Sequence, residues 1–190
     1  MVLVLPRRAA AATLAALSVA VPRPGRAEGE APDPSRVRAL LIRHARAPGT
    51  GDPPGFRLGD CATQRNLNPQ GRAQAARLGE ALRARGLAPD EVRAGRWCRA
   101  WDTARLMGFG EPVPLDALDS IFAGRGEPGP TGAALRAFVG AIPPGRRVAM
   151  VTHAVNAIAL TGSSLREAEA MLLDERARVL GRLYAPHDPD

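Results

Sequence analysis

Two short apolar segments, each followed at once by a histidine, constrain the fold of this chain more than any other feature. Residues 37–42 are apolar apart from one arginine and end in Arg43 and His44. Residues 148–151 are all apolar and lead through a threonine to His153. Runs of this length that end in polar or turn residues predict buried strands. Since parallel sheets carry their chemistry at the carboxyl ends of the strands, both histidines are expected at that edge.

Helical segments alternate with shorter strands between these two apolar segments. Asn68 followed by Pro69 is typical of a helix start, with the asparagine as cap. This alternation predicts an α/β fold with a largely parallel sheet. For residues 165–183, local propensity alone predicts a helix. The expected helices are 69–85, 97–107 and 131–142, and the expected weaker strands are 90–94 and 111–115.

The N-terminal segment has the composition of an export signal. Arg7 and Arg8 precede an apolar run at residues 9–21, and small residues follow as far as Ala27. This pattern is typical of a secretory signal sequence, and the apolar run of about a dozen residues is short for a bilayer span. We expect an exported, periplasmic protein without stable membrane insertion, and an N-terminal membrane anchor or disordered tail is the alternative. The expected division is a signal peptide at 1–27, a linker at 28–36 and one domain at 37–190.

The charge of the chain is compatible with anionic ligands but does not favour nucleic acid. The formal net charge is +7, and all 26 basic residues are arginine. A basic surface attracts polyanions and small anions alike. The arginines are scattered, however, and no basic stretch alternates with aromatic residues that would stack on bases. A small anionic substrate is therefore favoured over nucleic acid.

A long loop at residues 47–66, rich in glycine and proline, follows the first histidine. Loops of this length in a compact domain are usually functional, and this one is expected to fold over the mouth of the site. It contains Cys61, and the other cysteine is Cys98. In an exported protein such a pair predicts a disulfide, which would join this loop to the segment that bears Arg99. No histidine lies at zinc-ligand spacing, so no metal site is predicted.

Four side chains form a set suited to phosphoryl transfer: Arg43, His44, Arg99 and His153. A neutral imidazole can attack phosphorus and hold the phosphoryl group covalently. Fixed positive donors are then needed for the phosphoryl oxygens, which arginines and a second imidazole supply. A general acid is also needed to protonate the leaving alcohol.

These residues lie in motifs that resemble the histidine phosphatase (phosphoglycerate mutase-like) superfamily in its small, single-domain form. Arg43-His44-Ala45 resembles the family's Arg-His-Gly after the first strand. Residues 67–79, L-N-P-Q-G-R-A-Q-A-A-R-L-G, resemble its first helix. R-A-W-D-T-A from Arg99 and V-T-H ending at His153 resemble the segments of its second arginine and second histidine.

The resemblance implies a three-layer α/β/α sandwich that works without a cofactor or metal on a small phosphorylated substrate. It implies that His44 is the nucleophile that becomes phosphorylated. It also implies that Arg43, Arg99 and His153 bind the phosphoryl oxygens. In this family the tail is strand-like, so against local propensity we expect a hairpin in which residues 167–173 pair with 178–183.

Small exported members of the family resemble this chain further at residues 60–66 and at Asn156. Arg65 and Asn156 are candidates for substrate contacts, although a surface role is the favoured interpretation for Arg65 and for Arg57 of the same loop. Ala45 departs from the family's glycine, and it would be strained by about 1 kcal/mol if its φ were positive.

The general acid is the least certain assignment from the sequence. Many members of the family place a carboxylate after the third strand, where Asp119 is our first choice and Asp116 the second. The alternative is that both are solvated turn residues. Without an acid, turnover would be slow or restricted to good leaving groups.

Together these observations predict a metal-independent phosphomonoesterase, a hydrolase that works through a phosphohistidine intermediate. A binding protein for phosphate esters or anionic glycans, with weak or no catalysis, is the main alternative. Nucleic-acid binding is a third reading, which would require strongly salt-dependent affinity. The sequence predicts neither the substrate nor the oligomeric state.

Overall fold

The structure is a computed structural model, and it describes residues 32–185. The expected signal peptide at 1–27 and the first part of the expected linker lie outside the described residues. Within residues 32–185, no helix is both long and apolar enough to span a membrane. The strands are β1 (Ala39–Arg43), β2 (Glu91–Ala94), β3 (Val113–Pro114), β4 (Val148–Thr152), β5 (Glu169–Leu173) and β6 (Val179–Tyr184), and the helices are α1 (Pro69–Ala84), α2 (Cys98–Leu106), α3 (Pro128–Ala141) and α4 (Ala154–Thr161).

The strands form one mixed sheet in the order β3–β2–β4–β1–β5–β6. The first four strands in this order are parallel, β5 runs antiparallel to its neighbour β1, and β6, which is antiparallel to β5, runs in the same direction as the first four. β1 pairs with β4 so that Arg43 lies opposite Thr152. The two strands therefore end side by side, which confirms the prediction of a largely parallel sheet.

Helices cover both faces of the sheet, as the alternation of side chains along β1 requires. Leu40 and Ile42 belong to the core that includes residues of α1 and α2. Ala39 and Leu41 belong to a second core with residues of α3 and α4. Successive strand residues point to opposite faces, so one buried apolar strand serves two cores. The three-layer α/β/α prediction is confirmed.

The start of α1 follows the prediction, and the glycine of its motif has a packing role. The Asn68 side chain accepts a hydrogen bond from the backbone N–H of Gly71 at 2.8 Å, which makes it the cap. A side chain at Gly71 would overlap the carbonyl group of Arg46. This glycine therefore allows α1 to pack closely against the segment that follows β1.

Two predicted boundaries are wrong. α3 begins at Pro128, three residues before the expected position, since proline is well accommodated in the first turn of a helix. The strand expected at 111–115 has only two residues, Val113 and Pro114. β3 is an edge strand of the sheet. It ends at Pro114, which has no backbone N–H to donate to the ladder.

The tail forms the expected hairpin and not the helix that local propensity predicts. β5 is buried along its whole length and pairs antiparallel with β1, and β6 pairs with β5. Met171 and Leu173 enter the core with α3 and α4. β5 occupies the side of β1 that β4 leaves unpaired, and burial of its apolar side chains there outweighs helix propensity. Helix propensity contributes only roughly a few tenths of a kcal/mol per residue.

The strain considered for Ala45 does not arise. Among the described residues, the non-glycine residues with positive φ are Ala123, Ala168 and Ala177. Ala45 is fully buried, and its N–H donates to the Thr103 hydroxyl at 2.9 Å. An alanine is therefore accommodated at this position without a left-handed backbone.

Candidate active site

The two histidines lie next to each other at the carboxyl edge of the sheet. The backbone N–H of His44 donates to the carbonyl oxygen of Thr152 at 2.9 Å, which continues the β1–β4 ladder by one residue. The His44 and His153 ring centroids are 5.2 Å apart, with the rings at 61° to each other. Parallel pairing of β1 with β4 therefore brings together two residues more than a hundred positions apart in the chain.

The His44 ring is held in one tautomer. Its Nδ1 lies 2.8 Å from the carbonyl oxygen of Ala45, which can only accept a hydrogen bond, so Nδ1 carries the proton. Burial, helped by the positive charges of Arg99 and Arg43, lowers the pKa of His44 to about 3 against the opposing effect of the Ala45 contact. The ring is therefore neutral near pH 7, with an unprotonated Nε2.

His153 is also buried and neutral. Burial lowers the pKa of His153 well below its ordinary range, and the nearby His44 and Arg99 act in the same direction. Its ring packs edge-on against Trp97, with the centroids 5.7 Å apart. Its Nε2 has no hydrogen-bond partner among the described residues. A buried polar atom without a partner is costly, so this nitrogen is suited to a ligand.

Three arginines surround the histidine pair, and two of them are fixed largely by backbone carbonyl groups. Arg43 donates to the carbonyl oxygen of Leu165 at 3.1 Å and lies 3.7 Å from the Glu167 carboxylate. Arg65 donates from Nε to Gly51 at 2.8 Å and from Nη1 to Ala47. Backbone carbonyl groups hold Arg65 in place without cancelling its charge, whereas Glu167 partly balances the charge of Arg43. Both guanidinium groups line the pocket and are suited to an oxyanion.

The third arginine, Arg99, forms a buried ion pair with Asp52. Nη1 of Arg99 lies 2.7 Å from the Asp52 carboxylate, and Trp97 donates its indole N–H to the same carboxylate at 3.0 Å. Burial alone would raise the pKa of Asp52, but the hydrogen bonds from Arg99 and Trp97 bring it below its usual value. Asp52 is therefore an anion beside the site.

Cys61 and Cys98 form a disulfide, with their Cα atoms 5.7 Å apart. Cys61 belongs to the β1–α1 loop (residues 47–66), and Cys98 is the first residue of α2. The Gln64 side chain of the same loop also accepts a hydrogen bond from the Cys98 N–H at 3.0 Å. These contacts attach the β1–α1 loop beside Arg99.

The surrounding loops enclose a pocket of about 210 Å³. Phe122 lies at its wall with 45% of its surface exposed. Phe56 of the β1–α1 loop stacks on Trp97 and lies under the Arg125 guanidinium group, but it does not line the pocket itself. The lining residues are Arg43, His44, Gly49, Thr50, Gly51, Arg65, Arg99, Ser120, Phe122, His153, Ala154 and Val155.

A comparison with protein-family models identifies the family. Residues 39–138 match the model of the histidine phosphatase superfamily (branch 1). The chain belongs to the histidine phosphatase superfamily. The family expected from the motifs is thereby confirmed. No curated protein sequence matches the chain significantly.

Solved structures with the same fold include several phosphatases. One is an Agrobacterium tumefaciens protein assigned to the phosphohistidine phosphatase SixA, with 23% identity and a TM-score of 0.57 over 78% of this chain and 98% of that one. A protein histidine phosphatase SixA complexed with tungstate has 16% identity and a TM-score of 0.54 over 77% and 96%. A mycobacterial glucosyl-3-phosphoglycerate phosphatase complexed with VO3 has 18% identity and a TM-score of 0.54 over 73% and 92%. At these identities the likeness shows the histidine phosphatase fold.

The predicted acid of this histidine phosphatase site does not line the pocket. Both carboxylate oxygens of Asp119 accept hydrogen bonds from Arg96, one from its backbone N–H at 2.7 Å and the other from its side chain at 2.8 Å. The second choice, Asp116, is 83% exposed and lies 3.5 Å from the same arginine. Ser120 lines the pocket where an acid was expected, and no carboxylate does so among the described residues.

Of the two predicted substrate contacts, the structure brings only Arg65 into the pocket. Asn156 is fully buried, and its Nδ2 donates to the carbonyl oxygens of Ala117 and Asp119 at 3.2 and 2.7 Å. Asn156 therefore fixes the turn that precedes Ser120. Its contribution to the site is indirect.

Sequence reasoning missed Asp52, Glu167 and Phe122. Asp52 lies among glycines and prolines in a loop with no periodicity, so no pattern distinguished it from a solvated residue. Glu167 reaches Arg43 only because β5 runs antiparallel beside β1. Phe122 lies in a stretch with glycine and proline, where a lone aromatic residue is only a weak indication of a pocket wall.

Proposed function

We propose that this histidine phosphatase is a metal-independent phosphomonoesterase that hydrolyses small phosphate esters through phosphorylated His44. The observation that carries this proposal is the His44 ring itself. Its Nδ1–H donates a hydrogen bond to the carbonyl oxygen of Ala45, so Nε2 of the neutral ring is unprotonated. The pocket that His44 lines also contains three arginines. This combination is what an attacking imidazole and its oxyanion require.

In the first step, the Nε2 lone pair of His44 forms a bond to phosphorus while the bond from phosphorus to the ester oxygen breaks. Arg43, Arg99 and Arg65 balance the charge of the phosphoryl oxygens, and Nε2 of His153 donates a hydrogen bond to one of them. The Nδ1–H bond to Ala45 stabilises the positive charge that the ring acquires. The leaving oxygen departs with the electron pair and takes a proton.

In the second step, a water molecule attacks phosphorus and the bond from phosphorus to Nε2 breaks. Inorganic phosphate leaves, the water proton passes to solvent or a base, and His44 returns to its neutral tautomer. The proton for the leaving oxygen is the one requirement that the pocket lining does not meet. Asp119 as its source stays a prediction, and that role requires its carboxylate to leave Arg96.

The test is hydrolysis of p-nitrophenyl phosphate by the mature protein in EDTA. We expect turnover that EDTA does not abolish and that His44→Ala reduces at least about a thousandfold. A quenched reaction with labelled substrate should contain one acid-labile, base-stable phosphoryl group per chain, absent from His44→Ala. Activity that persists in His44→Ala would contradict the mechanism.

A second candidate is an oxyanion-binding protein without significant turnover. The absence of a carboxylate from the pocket lining of the described residues favours it, since alkyl esters then lack a proton donor. Micromolar or tighter tungstate binding by calorimetry, together with no hydrolysis of aryl or alkyl phosphates, would identify this function. Hydrolysis of the aryl ester above would exclude it.

We also propose that the protein is exported to an oxidising compartment. The composition of residues 1–27 supports this, and so does the Cys61–Cys98 disulfide, because such bonds persist mainly outside the cytosol. Cell fractionation and N-terminal sequencing of the expressed full chain test it. We expect a mature N-terminus near residue 28 and recovery with the exported proteins.

A further inference from the structure

The Asp52 carboxylate has no part in the steps above, yet it lies against the phosphate site. Its Oδ1 accepts a hydrogen bond from Nη1 of Arg99 at 2.7 Å, and its Oδ2 accepts one from Nε1 of Trp97 at 3.0 Å. The backbone N–H of Arg65 adds a third donor at 3.3 Å. Donors from the β1–α1 loop and from the start of α2 therefore converge on one side chain.

Neither stability nor charge explains this ion pair. The Arg99 and Asp52 side chains are only 4% and 5% exposed. Removing two charges from water offsets much of their attraction, so a buried pair is weak evidence of stabilisation. A carboxylate next to an oxyanion site also repels the anion. Geometry is the remaining contribution that Asp52 can make.

The geometry of the pair orients the arginine. Asp52 contacts both terminal nitrogens of Arg99, at 2.7 and 3.4 Å, while Nε of Arg99 is buried without a partner among the described residues. Because a guanidinium group is planar, fixing its terminal nitrogens also fixes the direction of Nε. Arg99 lines the pocket together with His153, whose Nε2 is likewise buried and without a partner.

We propose that Asp52 is a positioning residue for the phosphate clamp. It fixes the Arg99 guanidinium directly, and it fixes the His153 ring through Trp97, which packs edge-on against that ring. Both unpartnered nitrogens are thereby held ready for phosphoryl oxygens. The inference rests on the proposed phosphatase function, but affinity for an oxyanion tests it independently of turnover.

The experiment compares Asp52→Asn with the wild type in tungstate calorimetry and in p-nitrophenyl phosphate hydrolysis. The two explanations of Asp52 predict opposite signs. If the carboxylate acted only by its charge, its removal would tighten tungstate binding. If it orients Arg99, tungstate binding and kcat/KM should each fall by about tenfold, the effect of losing a charge-assisted hydrogen bond. Unchanged or tighter binding overturns the proposal.

Repeating the substitution in a variant that lacks Arg99 tells whether Asp52 acts by orienting this arginine or by a general effect on the fold. In Arg99→Gln, Asp52 no longer has a guanidinium group to orient and remains as an unpaired buried carboxylate that repels the anion. Asp52→Asn introduced there should lower tungstate affinity by much less than tenfold, because only its contact with Trp97 remains to hold the His153 ring. A further loss of about tenfold in that background would mean that the two residues act independently, and would overturn the proposal.

The chain supplies a matched control in the same loop. Asp60 pairs with Arg57 at 2.6 Å, but these side chains are 40% and 68% exposed. Asp60→Asn keeps a capping side chain and should leave tungstate affinity, kcat and KM within about twofold of wild type. A tenfold loss in this control would show that the assay reports loop integrity and not positioning, which would count against the proposal.

Two cases need a separate measurement: an Asp52→Asn variant that does not fold, and a wild-type protein that hydrolyses no phosphate ester. If Asp52→Asn does not fold, Trp97→Phe is measured in its place. This substitution removes one hydrogen-bond donor to the Asp52 carboxylate and should weaken tungstate binding severalfold. Unchanged tungstate affinity would overturn the inference. Wild-type protein that binds tungstate but hydrolyses no phosphate ester would refute the proposed function. The tungstate comparison of Asp52→Asn would still decide whether Asp52 orients the clamp.

Discussion

The carboxyl edge of the sheet and the β1–α1 loop contribute to the pocket in different ways. His44 and His153 follow neighbouring parallel strands, and the backbone ladder and two apolar cores fix their positions. Arg65 and Asp52 lie in an irregular loop fixed by side-chain contacts and a disulfide. The difference suggests a division of labour, in which the sheet edge sets the rate of chemistry and the loop sets affinity.

The largest effect is expected at the sheet edge. In the proposed mechanism His153 donates a hydrogen bond to a phosphoryl oxygen on which charge develops, so His153→Ala should lower kcat for p-nitrophenyl phosphate by about a hundredfold. Steady-state kinetics and a thermal melt of the same variant check this. A rise in KM with unchanged kcat would mean that His153 contributes to substrate binding and not to the chemical step.

A smaller effect on a different parameter is expected in the loop. Arg65→Ala removes a pocket guanidinium group that backbone carbonyl groups hold in place, so KM should rise by about tenfold while kcat stays within about threefold. Arg57→Ala is the control, since Arg57 lies in the same loop with its side chain 68% exposed. If Arg65→Ala lowered kcat as strongly as His153→Ala, the proposed division would fail.

Removal of the disulfide tests how the loop is held. Cys61→Ser with Cys98→Ser opens a link between residues 37 positions apart, which should cost about 2 to 4 kcal/mol in the free energy of unfolding. KM should rise severalfold, and kcat should change little because β1 and β4 still hold the histidines. Denaturant melts and kinetics of the double variant, beside wild type with and without reductant, measure both quantities.

The pH dependence of stability reports on the buried histidines. The pKa of His44 is about 3 in the folded protein and about 6.5 in the unfolded chain, so the unfolded chain binds more protons between these values. The free energy of unfolding should therefore be highest above pH 6.5 and fall on acidification towards pH 3, by up to about 1.4 kcal/mol per pH unit from this residue. His44→Asn should show a shallower slope in urea melts over the same range.

The smallest effect is expected for Asp119→Asn. Its carboxylate is bound by Arg96 and does not line the pocket, so hydrolysis of p-nitrophenyl phosphate, whose leaving group needs no proton, should stay within about twofold of wild type, and an alkyl phosphate is compared beside it. The paired substrates make the test sharp. A loss of a hundredfold or more confined to the alkyl ester would assign Asp119 as the general acid after all, since only a poor leaving group needs the proton.

Most of the fold was accessible from sequence because its determinants are local or periodic. The apolar runs before His44 and His153 gave the central strands, and Asn68 with Pro69 gave the start of α1. The hairpin at the tail was different, since local propensity favours a helix there. Only the family resemblance indicated it, and burial of β5 against β1 explains it.

The sequence by itself determined which residue types follow the two buried strands, and therefore that two imidazoles and an arginine meet at one sheet edge. Tertiary structure decided the partners of those groups. Asp52 reaches Arg99, and Asp119 turns to Arg96, through contacts between segments far apart in the chain. Strand and helix patterns record which face of an element is buried. Irregular loops carry no such period, so their contacts exist only once the elements around them have packed.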